Sequence, residues 1–191
     1  MAHISSIGAG LFSDLSVAVG TATVPVTYDS TGFAALFTSL DASPLSTPVA
    51  GGFVRITNVR DFPEMGTPPN IVKVPVYGQK QSKTIQGQAD APQLQINLNF
   101  VASDWDRTTG YGAMVGDGVT RAFRFSLLGA DPGAGATWAS SAVGYGSKEH
   151  TVYYWVGKME AILVKPTLTD AITATLTLSI SSDFYGAFTY A

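Results

Sequence analysis

Two aspartates, Asp104 and Asp106, flank Trp105, and paired carboxylates can serve as a general acid and base. That work needs a cleft and carboxyl pKa values pushed apart. Residues two apart share a face on a strand but not on a helix. Ser103 precedes the pair as a cap residue, so the spacing predicts a short helix start, where the helix dipole favours carboxylates. His3 and His150 are the only histidines; they are far apart and show no metal-ligand spacing. His150, beside Glu149, reads as a surface residue at a strand start. Gly144-Tyr145-Gly146-Ser147-Lys148 has the residue types of a phosphate loop. It lacks the G-x-x-x-x-G-K-[ST] spacing and no helical pattern follows it. No G-x-S-x-G nucleophile elbow occurs. The chain has no cysteine, which excludes disulfides and thiolate metal sites. The expectation is a protein that is not an enzyme and takes no cofactor or metal.

The elements are more informative than these side chains. Residues 93–100, Gln-Leu-Gln-Ile-Asn-Leu-Asn-Phe, alternate polar and apolar residues, as do residues 172–181, Ile-Thr-Ala-Thr-Leu-Thr-Leu-Ser-Ile-Ser. Period-two alternation predicts strands with one buried face. The polar rows are uncharged, unlike an ordinary solvent face, and suit a surface that meets protein or lines a conduit. Further strands are expected at 21–27, 52–58, 70–77, 119–128 and 150–165, with a last edge segment at 184–190. On the 150–165 strand, Tyr153, Trp155, Met159, Ala161 and Leu163 are expected on one face. Asp29-Ser30-Thr31 offers a cap for one or two helical turns through Phe37. Residues 1–20 read as an N-terminal arm before a single β-domain at 21–191. Loops at 28–51, 78–91 and 129–147 exceed the usual connection length of about 12–15 residues. The fold class is mainly β, a sandwich or small barrel with one or two short helices and long loops.

Composition agrees with a surface made for partners. Charged residues make up 13% of the 191 residues, against roughly 25% in ordinary domains. The net charge is −3 and no basic cluster could neutralise a run of phosphates. No apolar run approaches the roughly 20 residues needed to span a bilayer, and the first residues lack a basic start and apolar core of a secretory signal.

Pro25-Val26-Thr27-Tyr28-Asp29-Ser30-Thr31-Gly32-Phe33-Ala34-Ala35-Leu36 resembles the P-x-T-Y-D-x-x-G-[YF]-A-A-L segment of tail tube proteins from bacteriophages with long, non-contractile tails. Lys83-Thr84-Ile85-Gln86-Gly87-Gln88-Ala89-Asp90-Ala91-Pro92, leading into the alternating strand, is similar to that family's x-x-G-x-x-D-A-P turn. The match covers residues 21–40 and 73–105; elsewhere the likeness is in strand pattern only. The resemblance implies a β-sandwich or small barrel flanked by a helix. It implies six copies in a ring, and rings stacked into a virion tail tube assembled in the host cytoplasm. The implied partners are further copies of the chain and the tape-measure, tail-terminator and baseplate proteins, with viral DNA passing through unbound and no membrane involved. Many relatives carry an added C-terminal immunoglobulin-like domain; this sequence reads as one domain, so host-surface decoration by such a module is not an expectation here.

Within that frame the conduit lining is expected to be uncharged, since each wall cation adds a phosphate contact. Thr173, Thr175, Thr177, Ser179 and Ser181 are the first candidates for it, with Gln93, Gln95, Asn97 and Asn99 second. Tyr28, Phe33, Phe37, Lys80, Lys83, Gln86 and Asp90 are the candidates for contacts between copies. Two other readings stand beside this one: a carbohydrate-binding β-sandwich using Trp105, Trp138 or tyrosines as stacking surfaces, and a secretion-system tube of the same architecture.

Overall fold

A computed structural model describes residues 13–40, 48–64, 66, 71–78, 80–86, 93–128, 150–168 and 170–190. The chain is mainly β. Its strands are β1 (Asp14–Ala18), β2 (Ser39–Leu40), β3 (Gly52–Arg55), β4 (Val59–Asp61), β5 (Ile71–Val74) and β6 (Lys83–Gln86). They continue with β7 (Leu94–Asn99), β8 (Arg121–Leu128), β9 (His150–Lys165), β10 (Thr173–Ile180) and β11 (Tyr185–Tyr190). Among the described residues the α-helix is α1, Ser30–Ala34. Nine strands form one sheet in the order β2-β3-β1-β8-β9-β10-β7-β4, with β11 also on β9, and β5–β6 forms a separate hairpin.

The 16-residue β9 organises the sheet. Its first half pairs with β8, from Leu128↔His150 to Arg121↔Gly157, and with β11 on the other edge. Its second half pairs with β10, from Ile180↔Gly157 to Thr173↔Lys165. The two half-sheets meet at Gly157, where a Cβ would stand 2.0 Å from the Ser179 carbonyl oxygen, so only glycine fits. Apolar residues of both halves share one core. Leu15, Val17, Phe123, Phe125 and Trp155 come from one half, and Leu94, Ile96, Leu98, Leu176 and Leu178 from the other.

The other face of the first half-sheet is covered by the segment around α1. Asp29 caps the helix, accepting from the Gly32 amide at 2.7 Å, as its sequence predicts. Phe33, Leu36 and Phe37 pack with Phe53, Val152, Tyr154 and Val156 in a second core. Phe33 stacks on Tyr154 at 5.0 Å between centroids. Arg124 is fully buried there, with its guanidinium 4.9 Å from the Phe37 ring and 4.8 Å from the Phe53 ring.

Several expectations are corrected. The N-terminal arm over 1–20 does not hold for Asp14–Ala18, which is a buried strand between β3 and β8. Its polar residues are matched within the sheet. Asp14 pairs with Arg55 at 2.7 Å, and Ser16 donates to Asp14 at 2.9 Å and accepts from Arg124 at 3.4 Å. Residues 21–27 form bends rather than a strand. No helix starts at Ser103. The chain turns there, and the short 3-10 helix lies at Tyr111–Met114. Ala161 and Leu163 do not share a face with Trp155 and Met159, because β9 bulges opposite Thr177/Leu178. A bulge reverses the alternation, so Ile162 turns inward and Leu163 is 67% exposed.

Candidate functional site

The two uncharged alternating stretches are neighbours. β10 pairs with β7 in the register Thr173↔Asn99, Thr175↔Asn97 and Thr177↔Gln95. Leu94, Ile96, Leu98, Ala174, Leu176 and Leu178 point to the core, so the Thr/Ser row and the Gln/Asn row lie side by side on the opposite face. Thr175 Oγ1 donates to Asn97 Oδ1 at 3.1 Å. The first and second candidate linings are therefore parts of one surface. Ser181 departs from it; it lies just past β10, its amide donating to the Val156 carbonyl at 2.7 Å.

Both flanks extend this face. On β9, the pairs Ala161↔Thr177, Leu163↔Thr175 and Lys165↔Thr173 add a third row. Ser179 Oγ donates to Glu160 Oε1 at 2.6 Å, and Lys158 lies opposite Ser179. On the other side, Asp61 pairs with Asn97, and Arg60, Asp61, Asn97, Thr173 and Thr175 line a shallow 360 Å³ depression. Charges thus sit at the borders, with uncharged side chains across the middle. The sequence places Ala161 and Leu163 on the face of Trp155 and Met159 and does not single out Lys165, because nothing in the strand's own pattern announces the bulge that turns this row outward.

The four strands β4, β7, β10 and the second half of β9 run antiparallel in turn. Beyond Gly157, β9 has no sheet partner on the edge away from β10 among the described residues, and β4 ends the sheet on the opposite edge. Among the described residues, a loop bond from the Gly116 N–H to the Met159 carbonyl at 2.8 Å covers the start of the β9 edge.

The candidate residues for contacts between copies divide. Phe33 and Phe37 are corrected: both are fully buried within the chain, because α1 needs an apolar face to hold it on the sheet. Tyr28 is half exposed, its ring edge-on to Phe33 at 5.8 Å and 5.5 Å from Tyr185. Lys80 and Lys83 are exposed on the β5–β6 hairpin. Gln86 ends β6 opposite Ile71, and Asp90 lies outside the described residues. The hairpin also exposes Val72, Val74, Val76, Tyr77 and Ile85. The signal for Tyr77 was available in Pro75-Val76-Tyr77-Gly78, an aromatic residue placed at a turn.

The chemistry-bearing residues are engaged locally. Asp106 accepts from the Thr108 amide at 2.9 Å and from Thr109 Oγ1 at 3.1 Å. The Thr108 amide bond first, then Thr109, hold its carboxyl below the usual range, opposite to what a proton donor needs. Asp104 accepts from Asn58 Nδ2 at 3.3 Å. Trp105 and Trp155 are buried and unavailable for sugar stacking, while Trp138 lies outside the described residues. Among the described residues no group of three or more His, Asp or Glu could hold a metal ion, and no helix is long and apolar enough to cross a membrane. No protein-family model matches the chain, and no curated protein matches it.

Proposed function

We propose that this chain is a structural subunit that assembles with copies of itself into a hollow tube, the tail tube of a long, non-contractile-tailed bacteriophage, through which DNA leaves the virion. The observation that carries this reading is the in-register pairing of β7 with β10, which merges two uncharged polar rows into one broad surface. Such a face gives a passing duplex no ladder of cations to hold its phosphates. A sheet that ends in unpaired edges invites pairing with another chain unless it is covered. Here the edges are complementary. A copy rotated about an axis along the strands brings its β9 edge beside β4, antiparallel, and continues the sheet without reversing its faces. A head-to-tail contact of this kind closes into a ring when the rotation permits. The two sequence motifs support six copies per ring and stacking of rings. The tape-measure, terminator and baseplate proteins follow from the same resemblance.

Negative-stain electron microscopy of the purified, concentrated protein tests the reading. Rings or long hollow tubes are the expected result. Protein that stays monomeric at every concentration, with no tubes, overturns it.

A further inference from the structure

The β5–β6 hairpin is basic and exposes apolar side chains, and one apolar groove on the main sheet has acidic residues near it in the chain. Residues 71–86 carry Lys73, Lys80 and Lys83 and no acidic residue, on a chain whose net charge is −3. Among the described residues none of their apolar side chains joins either core: Val72, Val74, Val76 and Ile85 are exposed, and Tyr77 near the tip is fully so. A two-stranded hairpin with a bare apolar surface is marginal alone, and exposed apolar patches mark contact sites. On the main sheet, Phe125, Leu127, Tyr153 and Phe184, with Gly66 and Gly186, line a cavity of about 320 Å³. That is room for an aromatic ring with an aliphatic neighbour. Glu64 and Asp183, both exposed, stand beside Gly66 and Phe184 in the chain.

We propose that Tyr77 of one copy docks in the Phe125–Leu127–Tyr153–Phe184 groove of another, with the hairpin lysines meeting Glu64 and Asp183 at its rim. A buried aromatic residue ringed by polar contacts is the usual anchor of an interface. The chain's own tip is not the occupant: Tyr77 is fully exposed and so fills no groove of its own subunit. Tip and groove are different patches, so the contact is heterologous and propagates from copy to copy. This names one contact of the assembly proposed above and rests on that reading.

The chain's lack of cysteine makes the test clean. Val76→Cys and Asp183→Cys proteins, which keep Tyr77 and the groove lining intact, are made separately, mixed and oxidised. The expected product is a disulfide-linked pair joining one of each, at least about tenfold more abundant than either self-linked pair. Predominant Val76→Cys self-linkage overturns the docking in favour of a tip-to-tip contact. Tubes in the microscope without the mixed cross-link overturn the docking and leave the tube reading standing. The mixed cross-link without tubes does the reverse, and absence of both sinks both. Independently, Tyr77→Ala weakens self-association by about tenfold or more while Tyr77→Phe retains it. Unchanged self-association of Tyr77→Ala, with lost binding to phosphatidylserine vesicles, overturns the proposal in favour of a lipid surface.

Discussion

Phe33 ties the capped turn at Asp29 to the sheet through its stack on Tyr154 and its edge contact with Tyr28. A fully buried phenylalanine truncated to alanine costs about 3–5 kcal/mol. Phe33→Ala is therefore expected to lower the urea unfolding free energy of the isolated subunit by that amount. A loss below about 1 kcal/mol would show that the α1 segment is not part of the cooperative core. At the entry to β8, Asp117 accepts from Arg121 Nη2 at 2.6 Å and from the Val119 amide at 2.9 Å. Burial pushes its carboxyl up, but the hydrogen bonds from Arg121 and Val119 outweigh that and leave it below the ordinary value. A lowered folded pKa stabilises fully above the unfolded carboxylate value of about 3.9 and is lost as pH falls through the folded value. Acid unfolding of Asp117→Asn should accordingly lose less stability below about pH 4 than the parent, measured by circular dichroism.

At the scale of elements, the hairpin and β9 behave oppositely. No described hairpin side chain belongs to either core of the subunit, so replacing residues 71–86 by a short Gly-Ser linker should move the melting temperature by no more than about 2 °C. Loss of assembly is expected with it, scored by sedimentation velocity; a large fall in melting temperature would show instead that the hairpin supports the subunit fold. The strands with clean alternation, β7, β10 and most of β8 and β9, were legible in the sequence because one face is apolar and the other polar. The cap at Asp29 was legible because it acts on its own neighbours. β1 was not, since Asp14 and Ser16 look like surface residues until Arg55 and Arg124, 41 and 108 residues away, are brought to them. The bulge in β9 was hidden for a similar reason: it is set by pairing with Thr177 and Leu178, not by β9 itself. For the site, both polar rows were readable, but their fusion into one face depends on which strands pair, and that is decided by the whole core.

At the scale of the molecule, the proposed lining predicts how DNA should respond. Lysines at Thr175 and Thr177 would place two cations per subunit mid-face, and each ring of the proposed tube would repeat them. DNA ejection from particles built with Thr175→Lys/Thr177→Lys protein should slow measurably, and more at low salt than at high salt. Normal ejection from normally formed tubes would remove this face from the lumen. β9 carries a further consequence. As one unbroken strand of 16 residues, about 50 Å long at 3.3 Å per residue, it is backbone to both half-sheets. Tension along it is borne by covalent bonds, and the halves can slide past each other only by shearing many antiparallel hydrogen bonds together. A cylinder wall made from such struts would flex at the joints between subunits while each subunit kept its shape.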